Sequence, residues 1–287
     1  MSATENSWKH EYIISNGIKL HYVTQGEGSL MLMLHGFPEF WYSWRYQIPE
    51  FAKDYKVVAL DLRGYNESDK PPARSAYVMD ELIEDVKGAI EGLGYEKCVL
   101  VGHDWGGAIA WNFAYAYPKM VDKLIVLNLP HPAKFSQIFR NPRQLLRSWY
   151  IFFFQLPFLP EFFLQFSDYR AIKNTIFGMA TNKSNFSEAD IKAYKNAAAK
   201  PGALTAILSY YRNFFHQKMF QKTWNILEVP TLMIWGENDV ALGKELTYGT
   251  ETFVKYFQIR YIPNCSHWVQ QDAPQLVNQY MREFLPK

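Results

Sequence analysis

The chain is short of cysteine, of net charge and of unbroken apolar length, and each shortage removes a class of protein. Two cysteines in 287 residues, Cys98 and Cys265, cannot form a disulfide framework. Cys98 reads as a small buried hydrophobe, and nothing calls for an oxidising compartment. A formal net charge of +2 with no dense basic run argues against nucleic acid as a partner. The start, Met1–Ser7, is polar and carries no apolar signal region, so a cytoplasmic location is expected. The stretch Trp149–Leu164 is the most apolar, but Gln155, Pro157, Pro160 and Glu161 interrupt it, and no integral membrane segment is expected. There is no internal repeat, no low-complexity tract and no convincing metal-ligand cluster, so neither a metal nor an organic cofactor is called for.

What is present suits a globular protein. Hydrophobic residues make up 48% and charged residues 20%, enough for a substantial core. Aromatics reach 17% and crowd into Trp149–Leu164, where they can line an apolar cavity as well as fill a core. Apolar runs predict strands over Glu11–Ser15, Lys19–Thr24, Leu30–Leu34, Lys56–Leu60, Lys97–Val101, Lys123–Leu127, Thr231–Trp235 and Gln258–Ile262. Asn16-Gly17 marks a hairpin between the first two. Helices are expected over about Trp41–Ala52, Met79–Leu93, Gly106–Ala116 and Pro274–Phe284. Strand and helix alternate, which predicts an α/β fold with an eight-stranded, mostly parallel sheet flanked by helices. The alternation stops after Leu129 and resumes near Thr231, so residues 130–225 are expected to form a helical cap inserted in a core of 1–129 and 226–287.

The central stretch is Val99–Trp111, an apolar strand running through Gly102-His-Asp-Trp-Gly106 into a helix of small residues. This is the nucleophile-elbow pattern with Asp104 in the place of serine. Glycine two residues before and two after the nucleophile removes side chains that so tight a turn would bring together. Alone, the motif favours an ordinary βα turn with Asp104 as helix N-cap. Its partners decide between the two. An aspartate that attacks carbon forms an ester, and a base must then activate water. Of seven histidines, His267 in Asn264-Cys-Ser-His-Trp268 follows the last strand, where catalytic groups gather in parallel sheets. His35 and His103 sit in tight turns and are expected to shape loops; His10, His21, His131 and His216 lack a comparable setting. The orienting carboxylate should also follow a strand, and Asp239 is preferred over Glu237. Asp104, Asp239 and His267 then follow the order nucleophile, acid, histidine. The N–H groups of Trp105 and Phe37 are expected to form the oxyanion hole.

Three motifs together, His35-Gly-Phe-Pro-Glu-Phe-Trp-Tyr-Ser-Trp-Arg45, Gly102-His-Asp-Trp-Gly-Gly107 and Cys265-Ser-His-Trp268, resemble those of the epoxide hydrolases of the α/β-hydrolase superfamily. Asp61-Leu-Arg-Gly-Tyr65 and Asn128-Leu-Pro-His-Pro132 also resemble family loops, while Asn66 stands where many relatives have glycine. The resemblance implies the α/β-hydrolase fold and the hydrolysis of a small hydrophobic epoxide to a vicinal diol. It further implies that two tyrosines donate to the epoxide oxygen, matched here by Tyr150 and Tyr211, with Tyr210 as the neighbour open to confusion. It implies substrate contacts at His35, Pro38, Phe153 and Trp268. The alternative is a haloalkane or haloacid dehalogenase with the same aspartate nucleophile. Against it, the asparagine frequent after His-Gly in haloalkane dehalogenases is replaced by Phe37, and the arginine expected of a fluoroacetate dehalogenase by Trp105. A non-catalytic binding protein is less favoured, because all three triad positions are filled. The pattern assigns no oligomeric state.

Overall fold

Strands buried on both faces need nearly continuous apolar runs, and the central strands have them. A computed structural model describes residues 8–135, 141–215 and 223–285; the polar start Met1–Ser7 and His216 lie outside the described residues. Eight strands form one sheet: β1 Lys9–Ser15, β2 Ile18–Gln25, β3 Ser29–Leu34, β4 Tyr55–Leu60, β5 Cys98–His103, β6 Val121–Leu127, β7 Thr231–Gly236 and β8 Phe257–Ile262. Their spatial order is β1-β2-β4-β3-β5-β6-β7-β8. The pairs β1/β2 and β2/β4 are antiparallel and all others parallel. Every residue of β5, near the middle of the sheet, is buried, and so is every residue of β7, which lies between β6 and the edge strand β8.

Helices cover the faces. Between strands run α1 Ile48–Phe51, α2 Met79–Gly92 and α3 Trp105–Ala116. Helix α2 buries Leu82, Val86 and Ile90, which share one face at helical spacing. Helix α3 is buried over most of its length, as its small residues allow. The helix expected over Trp41–Ala52 is instead a single 3-10 turn, Trp41–Trp44, followed by α1. Pro49 has no N–H and is accommodated only in the first turn of a helix, so it breaks the longer run.

From β6 to β7 the described residues contain helices and no strand: α4 Pro142–Arg147, α5 Trp149–Phe153, α6 Leu159–Lys173, α7 Glu188–Ala198 and α8 Ala203–Phe214. The chain ends with α9 Val269–Asp272 and α10 Pro274–Phe284. No helix among the described residues is long and apolar enough to cross a membrane.

Candidate active site

The turn after β5 is built by close backbone approach. A side chain on Gly102 would place Cβ 2.4 Å from the Gly106 carbonyl oxygen, and one on Gly106 would lie 2.1 Å from the Leu34 oxygen. Both distances are below any real contact, so both positions require glycine. Asp104 sits at the turn with φ 50° and ψ −121°, a conformation rarely taken by an L-residue. Such strain costs on the order of 1–3 kcal/mol and persists only where the surroundings enforce it. Asp104 occupies the N-cap position of α3, yet its side chain accepts no capping hydrogen bond from the helix. Its Oδ1 instead accepts from the Phe37 N–H at 2.8 Å, and its Oδ2 lies 3.5 Å from His267 Nε2. The carboxylate is therefore aimed away from the helix it precedes.

His267 donates through Nδ1 to Asp239 Oδ2 at 2.7 Å. Three further hydrogen bonds hold Asp239, one from the end of β6 and two from its own loop after β7. Asn128 Nδ2 donates to Oδ2 at 2.7 Å, and the N–H groups of Ala241 and Leu242 donate to Oδ1 at 2.8 and 2.9 Å. Glu237, the other candidate, points away and pairs with Lys244 at 2.6 Å. Asp104, Asp239 and His267 are all buried.

Charge follows this geometry. Burial opposes protonation of His267, but the Asp239 and Asp104 carboxylates win and push its pKa up to about 10. Burial alone would raise the Asp104 carboxyl; the His267 hydrogen bond and charge, His103 and the Phe37 N–H pull it below its ordinary value. Tyr150 and Tyr211 are shifted upward, first by burial and then by the Asp104 charge, so both phenols stay protonated.

A cavity of about 350 Å³ opens onto Asp104 and His267. Tyr150, Tyr211, Phe37, Phe153 and Trp268 are among its walls. The rings of Tyr150 and Tyr211 lie 5.8 Å apart, and that of Tyr211 lies 5.3 Å from Phe37. Trp105 borders a smaller adjoining cavity of about 40 Å³ with Asp104 and both tyrosines. The hydroxyl of Tyr210 turns the other way and donates to the Arg63 carbonyl at 2.7 Å, which separates it from its neighbour. The structure does not bring His35 or Pro38 to the main cavity wall. His35 is fully buried, donates from Nδ1 to the Gly36 carbonyl and accepts at Nε2 from the Leu62 N–H. Burial holds it neutral, fixing the loop that carries Phe37. Pro38 lines a separate small pocket beside Tyr65 and Asn66. Among the described residues no three His, Cys, Asp or Glu side chains converge as a metal-holding group.

Two supporting residues escape a reading of motifs. Asn128 (φ 42°) bridges the Gly236 N–H and Asp239, tying the end of β6 to the acid loop. Glu39 accepts from Gln270 and Gln271 through Oε1, while its Oε2 meets His103 Nδ1 at 2.7 Å. His103 Nε2 reaches the His267 carbonyl at 2.9 Å, so this buried chain braces the histidine loop. Both residues stand inside quoted motifs, but their partners lie up to 232 residues away in sequence.

The comparisons with known proteins agree with this fold. Residues 29–274 match the family described as alpha/beta hydrolase fold. Epoxide hydrolase 4 of Homo sapiens is 46% identical over 281 residues, covering 95% of this chain and 77% of that protein. A crystal structure of the Bacillus megaterium epoxide hydrolase with an inhibitor is 39% identical with a TM-score of 0.91, covering 96% of this chain and 100% of that one. A variant of the Bacillus megaterium enzyme solved with its product, a naphthyloxy-propane-1,2-diol, superposes with a TM-score of 0.90 at 39% identity and the same coverage. The chain belongs to the epoxide hydrolase family of the α/β-hydrolase fold.

Proposed function

We propose that this protein converts hydrophobic epoxides to vicinal diols through an ester on Asp104. The observation that carries the reading is the Asp104 carboxylate itself, withdrawn from its helix and set between the Phe37 N–H and His267 at the floor of an aromatic cavity. In this reading residues 130–225 are the cap, and the core is formed by 1–129 and 226–287.

The reaction begins with Tyr150 and Tyr211 donating to the epoxide oxygen. Asp104 Oδ2 attacks a ring carbon; the electron pair of the breaking C–O bond goes to the ring oxygen, which takes a tyrosine proton. An epoxide oxygen leaves as a strongly basic alkoxide, so this proton is what the tyrosines supply. His267 enters the cycle protonated, because two carboxylates flank it. Esterification removes the Asp104 charge and with it part of what holds that proton. His267 then returns a proton to the tyrosinate and becomes a neutral base. It next takes a proton from water, whose oxygen attacks the ester carbonyl. The N–H groups of Phe37 and Trp105 hold the oxyanion. Collapse expels the diol oxygen, which takes the carboxyl proton, leaving Asp104 ionised and His267 protonated as at the start. No proton is gained or lost over the cycle.

The size and aromatic walls of the cavity favour an aryl or alkyl epoxide over a polar one. An aryl glycidyl ether is the natural test substrate, since its hydrolysis gives an aryloxy-propanediol like the product held by the Bacillus megaterium relative. The wild type is expected to release diol from this ether and no bromide from a bromoalkane. Replacing both Tyr150 and Tyr211 with Phe is expected to abolish diol formation. Bromide release, or diol formation at the wild-type rate in the double variant, would refute the assignment.

A further inference from the structure

Among the described residues, exposed large hydrophobic side chains concentrate in the segment that also lines the cavity. Of the eighteen large hydrophobic side chains exposed among the described residues, ten fall between Leu145 and Phe166. Phe162 and Phe166 stand four residues apart on the first part of α6 and Phe158 is its N-cap; from Phe166 to Tyr169 the backbone leaves helical geometry, so α6 is kinked there. Phe158 is 84% exposed, Phe162 64% and Phe166 63%. Trp149 and Phe163 are exposed as well and line the cavity that opens onto Asp104, so the patch runs into the entrance. A contiguous exposed aromatic surface of this kind marks an interaction site.

The charges of residues 141–173 that make no ion pair among the described residues have one sign. The only carboxylates between residues 141 and 173 are Glu161 and Asp168, and each is already paired, Glu161 with Arg212 and Asp168 with Lys195. Arg143, Arg170 and Lys173 are exposed and make no ion pair among the described residues. A second copy packed on this face by a two-fold axis would bring these cations toward their own images, an unfavourable contact. An anionic bilayer surface accepts both parts: the aromatics enter the acyl boundary and the cations meet the headgroups.

We infer that the face formed by α4, α5 and the start of α6 docks on an anionic lipid surface, presenting the cavity mouth to the bilayer so that lipophilic epoxides enter directly from it. The docking rests on the surface alone; only the delivery of substrate rests on the function proposed above. The test is sedimentation with phosphatidylcholine vesicles, with and without phosphatidylserine, alongside light scattering of the free protein. The wild type is expected to sediment, with apparent affinity rising about fivefold for each cation that meets the anionic surface. Phe158→Ser, Phe162→Ser and Phe166→Ser combined should weaken vesicle binding about tenfold or more. The same triple variant should hydrolyse a water-soluble epoxide within about twofold of wild type, because none of the three lines the cavity. Arg143→Glu with Lys173→Glu should remove the phosphatidylserine preference. Failure of the wild type to sediment, equal sedimentation of the triple variant, or a dimer that the triple variant abolishes would overturn the inference. Sedimentation needs no turnover, so its failure is distinguishable from loss of the proposed activity.

Discussion

Three buried side chains set the charge of the candidate site, and their titration is readable from outside. His267 is held near pKa 10 against an ordinary value of 6.5, so its pairing contributes fully below about pH 6.5 and is lost as the pH rises toward 10. Urea midpoints of the wild type should fall across that window, and those of His267→Gln should change less; a wild type as flat as the variant would contradict the paired histidine. The two adjacent tyrosines should separate cleanly. Tyr210→Phe deletes a buried hydrogen bond to the Arg63 carbonyl and should cost about 1 kcal/mol of stability while leaving kcat near wild type. Tyr211→Phe should do the reverse, lowering kcat with little effect on the midpoint. Asn128→Ala removes a charge-assisted hydrogen bond to Asp239 and should lower kcat about tenfold or more, with KM changed less. Equal kcat values for Asn128→Ala and wild type would show that the acid loop holds Asp239 without it.

At the scale of elements, the sheet holds the site by bringing loop ends together. Asp104 follows β5, Asp239 follows β7 and His267 follows β8, and these strands run parallel with their carboxyl ends on one side. Apolar runs and turns made these elements legible in the sequence, because a strand buried on both faces has few alternatives. The elbow was legible for a related reason: Gly106→Ala would drive a methyl group to 2.1 Å from the Leu34 carbonyl oxygen. That variant should lose about 3 kcal/mol or more by urea denaturation, and a loss under about 1 kcal/mol would deny the close approach. The helix expected over Trp41–Ala52 leaves Pro49 out of account; its missing N–H splits the segment into a 3-10 turn and a short helix. Glu39 and Asn128 were not legible as partners. Each acts through a hydrogen bond to a distant segment, and no local spacing encodes which buried donor will face which acceptor. Tyr150 and Tyr211 came only from family resemblance, since nothing local distinguishes them among nineteen tyrosines. His35 and Pro38 shape the Phe37 loop from behind, and a motif alone does not say which of its side chains face the cavity.

At the scale of the whole molecule, the helical segment between β6 and β7 and the sheet divide the chemistry. In the proposed reaction the loops after the strands supply nucleophile, base and oxyanion donors, and the helices supply the phenols and most of the aromatic wall. The same segment carries the exposed aromatic face, so substrate access and ring opening are assigned to one part of the chain. The central claim is that Asp104 forms an ester which His267 alone releases. Its most direct measurement is the intact mass of His267→Gln after incubation with an aryl glycidyl ether. The expected result is protein heavier by one epoxide, with the addition mapped to Asp104 and no turnover. An inactive protein of unchanged mass, or full diol formation without His267, would contradict it.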